Sequence, residues 1–143
     1  MLFNVSHNDK EITRKINDLV GKSYSWMERI RRKGIGSPRL IITEASPDID
    51  QLLEKDNRRR YGNIELRPKG IIIGFRVGLE AYALVIPFHQ LVIYKSEADG
   101  YSIYHHTQFV KVAPDAYDRP IHGFMSKLMM EKAAQSGTRI EDL

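Results

Sequence analysis

The sequence predicts an α+β domain: a strongly bent antiparallel sheet with one helix before it and one after it. Residues 9–33 repeat apolar side chains at spacings of three and four, residues 61–113 read as short strands separated only by turn residues, and residues 118–136 return to helical spacing. Connections that short leave no room for the crossovers parallel strands need, so the sheet is expected to be antiparallel. The chain has 143 residues, near the usual size of one domain, and shows no repeat, low-complexity stretch or linker. A single domain, 1–143, is therefore expected.

The first helix follows from Ile12, Ile16, Leu19, Val20, Met27 and Ile30, which form one stripe and are expected in the core. Asn8 or Asp9 can cap its start, Glu11 suits the positive end of its dipole, and Arg29, Arg31, Arg32 and Lys33 suit the negative end ahead of Gly34 and Gly36. Gly21 weakens or bends its middle. Leu40–Thr43, β-branched and bounded by Pro38 and Pro47, reads as a strand, and Ser46 with Pro47 starts a short helix running to about Asp56.

From Tyr61 the period changes to two. Ile64 and Leu66 alternate with polar neighbours; Ile71, Ile73 and Phe75 share one face, Gly74 and Arg76 the other. Val77-Gly78 makes a turn, Ala81–Ile86 returns, and Pro87 marks a bend before Leu91–Tyr94. Asp99-Gly100 is the clearest hairpin signal and leads into Tyr101–His105, followed by Phe109–Ala113. The closing helix takes Asp118 as N-cap and Pro120 in its first turn, buries Ile121, Phe124, Leu128 and candidates Met125 and Met129, and ends at Gly137.

The succession Gly70-Ile71-Ile72-Ile73, Val85-Ile86-Pro87-Phe88, Leu91-Val92-Ile93-Tyr94, a glycine hairpin, a short strand and a final helix resembles the bacterial pleckstrin-homology-like domains over about half the chain. The resemblance implies a partly open barrel with a C-terminal capping helix. That family's barrel has seven strands, whereas five or six are read here plus Leu40–Thr43. Because the fold hosts peptide, lipid and protein binding as well as plain oligomerisation, it names no ligand.

Composition removes several classes of chemistry. There is no cysteine, so disulfides, thiolate metal sites and cysteine nucleophiles are excluded. No apolar run approaches the roughly 20 residues of a membrane span, and residues 1–10 lack the apolar core of a signal peptide, so a cytoplasmic location is expected. No Gly-x-Ser-x-Gly string surrounds Ser37, Ser102 or Ser136, and Gly34-Ile35-Gly36-Ser37 leads into a strand where a phosphate cradle needs a helix. No cofactor or metal is therefore implied.

The net charge of +4 lies wholly in the first part: residues 1–60 carry 13 Lys/Arg against 9 Asp/Glu, and the remainder is balanced. Two clusters, Arg29, Arg31, Arg32, Lys33 and Arg58, Arg59, Arg60, are candidate contacts for a partner or polyanion, with solvated surface as the plainer alternative. Trp26 beside the first cluster is a candidate anchor or a core residue. Of the five histidines, His89, His105 and His106 form the least unfavourable catalytic or metal set. In a strand, however, His105 and His106 point to opposite faces.

The expected function is a non-catalytic cytoplasmic binding module for a protein partner, itself included, acting through the first helix or an exposed sheet edge. The alternatives are a nucleic-acid-binding domain using the basic clusters and, less favoured, a small-molecule enzyme with a histidine site. A membrane surface is the least favoured partner.

Overall fold

The computed structural model describes residues 1–56, 60–96, 100–115 and 120–141, with side chains described as far as Gln135. Arg58, Arg59, Asp99 and Asp118 lie outside the described residues. Among the described residues eight strands form one antiparallel sheet: β1 Leu2–Asn4, β2 Leu40–Ala45, β3 Tyr61–Arg67, β4 Gly70–Val77, β5 Glu80–Pro87, β6 Val92–Lys95, β7 Tyr101–His105 and β8 Gln108–Pro114. Their order is β1-β5-β4-β3-β2-β8-β7-β6, open at β1 and β6. Helices α1 Lys10–Val20, α2 Trp26–Arg31, α3 Pro47–Leu53 and α4 His122–Glu141 and a 3-10 turn, Phe88–Gln90, complete the described elements.

The sheet curls back on itself. The N-terminal ammonium of Met1, beside edge strand β1, donates to the Val85 carbonyl at 2.9 Å and approaches Nδ1 of His105 on β7 to 3.5 Å. Strands near opposite edges of the sheet meet there, although β1 and β6 are not paired. The concave face holds the main core, in which Leu40, Ile64, Leu66, Ile71, Ile73, Leu84, Ile86 and Ile103 are almost wholly buried. Alternation along β3–β5 puts Ile64, Leu66, Ile71, Ile73, Leu84 and Ile86 on one face, as the period of two requires. Ile121, Phe124, Met125 and Leu128 of α4 recur at helical spacing and close over this core. Each such side chain contributes about 1.5–3 kcal/mol by burial.

On the convex face α1 lays Ile16 and Val20 against Phe3, Ala83 and Val85. Asp9 caps α1 by accepting from the N–H groups of Glu11 and Ile12. The expected single helix over 9–33 is two: Gly21 adopts φ 85°, ends α1, and leaves residues 21–25 non-helical before Ser25 caps α2. A C-terminal residue in positive φ breaks a helix rather than bending it. The predicted stripe divides accordingly, with Ile16 and Val20 buried but Met27 and Ile30 exposed by 70% and 66%.

Other boundaries shift for local reasons. Strand β2 extends to Ala45 by pairing with β8 through a bulge between Ile42 and Glu44. Helix α3 stops at Leu53, short of Asp56. Gly137 does not end α4, which runs to Glu141; one glycine costs a helix about 1 kcal/mol without stopping it. Pro120 precedes α4 rather than sitting in its first turn. The three-residue β1 exists through its register with β5, Phe3 opposite Ala83, and is too short to carry a period of its own.

Candidate functional site

Helix α2 has no buried residue. At about 100° per residue, Trp26, Ile30 and Met27 span an arc of about 100°, Arg29 and Arg31 flank it, and Glu28 lies roughly opposite. The apolar arc faces water, with Trp26 71%, Met27 70% and Ile30 66% exposed. Glu28 turns toward the protein, where it pairs with Arg32 at 3.2 Å as well as with Arg31 at 3.6 Å. This helix is therefore inverted relative to α1: its apolar side is the one the fold leaves uncovered.

The C-terminal end of α2 is fastened to α4. Arg32 hydrogen-bonds Glu131 and lies 4.4 Å over the Tyr24 ring. Lys127 Nζ donates to the carbonyls of Arg32 at 2.7 Å and Gly34 at 3.0 Å, placing a cation at the negative end of the helix. Arg29 Nε donates to the Tyr24 carbonyl at 3.1 Å. Lys33 is exposed and takes φ 58° in the turn that follows. From the second cluster Arg60 pairs with Asp50 at 2.6 Å, and its hydrogen bond holds the Asp50 carboxyl below its ordinary range. Much of the predicted basic surface is thus tied to carboxylates or carbonyls, and Trp26 is not a core residue.

The histidines are drawn into structural contacts. His105 is 9% exposed; its Nε2 donates to Gln90 Oε1 at 2.6 Å in the tautomer that bond implies. Burial and then the nearby N-terminal ammonium lower its pKa. His106 does not continue the strand: at φ 53° it turns back, and the two imidazole centroids lie 4.6 Å apart, so the opposite-face expectation fails at the β7–β8 turn. His89 is exposed; Gln90 Nε2 reaches its Nε2 at 3.3 Å. It opens onto a cleft of about 590 Å³ shared with Lys69 and Lys132. Among the described residues no three His, Asp or Glu side chains group as a metal site.

A feature the sequence did not reveal is a groove of about 810 Å³ across the convex face of β3–β5, next to α1 and sharing Ile72 and Ala83 with the cluster that α1 packs on. Gly74, Ala81 and Ala83 give it a floor of small residues, and Arg39, Asn63 and Arg76 supply polar groups. Alternation alone placed Gly74 and Arg76 on one face. Arg39 joins them only because β2 lies beside β3.

Compared with known proteins, the chain matches no family model, no curated protein and no solved structure. No helix among the described residues is long and apolar enough to cross a membrane.

Proposed function

We propose that this chain is a non-catalytic cytoplasmic binding module that docks a protein partner through α2. The observation that carries this reading is the outward set Trp26, Met27 and Ile30, flanked by Arg29 and Arg31 on a helix held to α4 by Arg32 and Lys127. Exposing three large apolar side chains together costs solubility, and burying them against a partner recovers it. Trp and Arg are the residue types that dominate interface energetics. The complementary partner surface has an apolar cleft with acidic groups at its rim. The pleckstrin-homology-like resemblance belongs to this proposal, supported by the curled antiparallel sheet and the helix packed on its core. Pairing of Arg31, Arg32 and Arg60 with carboxylates leaves less charge for nucleic-acid phosphates.

The test compares the wild-type chain with a Trp26→Ser/Ile30→Ser variant as bait in nuclease-treated lysate. It is run beside light scattering, mixed oligonucleotides and phosphatidylserine vesicles. A stoichiometric protein retained by the wild type and lost by the variant is expected. Trp26 is the sole tryptophan, so iodide quenching of its fluorescence falls as the complex forms. Equal retention by the variant overturns the reading. So does capture that vanishes with nuclease, which selects nucleic acid, or α2-dependent sedimentation with vesicles, which selects a membrane.

A further inference from the structure

We propose that the groove on β3–β5 binds a small organic carboxylate with a flat apolar body. This goes beyond docking at α2, none of whose residues lines the groove. Its volume, about 810 Å³, falls in the range of small-molecule sites. In the register of the sheet Gly74 stands opposite Ala83 and Arg76 opposite Ala81, so small residues meet around Gly74, with Ile72 next to it on the same face of β4 and Tyr61 on β3 also lining the groove. Asn63 stands opposite Gly74 on the other side, and its Oδ1 is 2.9 Å from the place a Cβ on Gly74 would occupy. A larger side chain at position 74 would take the space where the ligand's body lies.

The polar groups set the ligand's charge. Arg39 is held in place: Nε and Nη2 donate to Asp115 Oδ2 at 2.9 and 2.8 Å, and the guanidinium lies 4.3 Å over the Tyr61 ring. The Asp115 side chain is only 1% exposed, so it is a fixed anchor. An arginine fixed beforehand loses little rotamer freedom when it binds. Arg76 is exposed and, among the described residues, makes no ion pair. The carboxylates on the lining are occupied: Asp56 accepts from the Gly78 N–H at 2.8 Å, and Glu65 is bonded to Arg67. Beside the pairs Arg39–Asp115 and Arg67–Glu65, the lining carries the Arg76 guanidinium and the Asp56 carboxylate, so one cation faces the ligand with an acidic group on the same wall. That balance matches a planar monoanion better than a phosphate monoester carrying about −1.5 to −2.

The experiment is an amide-detected NMR titration of the full chain with naphthalene-2-carboxylate and, separately, naphthalene-2-carboxamide. The carboxylate is expected to shift the amides of Asn63, Gly74 and Arg76 and to bind about tenfold more tightly than the carboxamide. Arg76→Gln, a surface change, is expected to remove that advantage while leaving carboxamide binding unchanged. Gly74→Val is expected to abolish binding of both probes. Absence of shifts at these amides with millimolar carboxylate overturns the proposal, as does equal affinity for the two probes or an Arg76→Gln variant that keeps the preference. Shifts confined to α2 would also overturn it, and none of these outcomes bears on protein docking at Trp26.

Discussion

Arg32 at the end of α2 hydrogen-bonds Glu131 on α4, 99 residues away in the chain. Helix α2 buries nothing of its own, so this pair and the Lys127 amine account for much of what keeps a six-residue helix in place. A helix that short is not stable alone. Arg32 and Glu131 are 24% and 29% exposed, so solvent screening limits the pair to about 1 kcal/mol.

Glu131→Ala is therefore expected to leave global stability nearly unchanged while opening α2 locally. Hydrogen exchange at residues 26–31 should quicken about fivefold, the factor that corresponds to about 1 kcal/mol. Unchanged exchange there would mean that α2 is held by something other than this tie.

Arg39→Gln removes the guanidinium from a carboxylate whose side chain is 1% exposed. The loss is expected to be about 1–3 kcal/mol, because a buried charge keeps its desolvation cost when a charged partner goes. Urea denaturation of Arg39→Gln and of Arg39→Gln/Asp115→Asn decides it: the double variant should recover part of the loss.

Gly70→Ala should be far more damaging than Gly74→Ala. A Cβ at Gly70 would stand 2.3 Å from the Ile86 carbonyl oxygen and 2.6 Å from Val20 Cγ1, and a strand backbone cannot step aside without breaking its ladder. At Gly74 the obstacle is the end of the exposed Asn63 side chain, which can rotate away. Thermal unfolding should show a loss of about 1–3 kcal/mol for the first and little change for the second.

His105 gives the fold a pH dependence near neutrality. Its folded pKa is lowered from 6.5, first by burial and then by the Met1 ammonium, so the unfolded chain takes up the proton more readily than the folded one. The contribution is complete above pH 6.5 and is lost as pH falls through that value toward the lower folded pKa. The melting temperature should fall over that interval, and His105→Gln should flatten the fall. Asp48 and Asp50, whose pKa values are lowered from 3.8, act only at more acid pH. A wild-type melting temperature flat from pH 7.5 to 5.5 would show that the imidazole is not shielded.

Most elements were readable from periodicity because they bury one face. Ile71, Ile73 and Phe75 declared the inner side of β4, Ser46-Pro47 the start of α3, and Ile121, Phe124 and Leu128 the packed side of α4. Failures came where a local signal had two meanings. Met27 and Ile30 continue the spacing of Ile16 and Val20, yet a positive φ at Gly21 redirects the chain and turns them to solvent.

The amino-acid sequence by itself determined the antiparallel α+β class, the two periods and the lack of cysteine chemistry, all set by neighbours in the chain. Only the tertiary structure decided that α2 faces outward, that His105 meets Met1 across a curled sheet, and that Arg39 joins Arg76 around one groove. Those relations depend on strand order and curvature, which bring together residues tens of positions apart and leave no periodic trace.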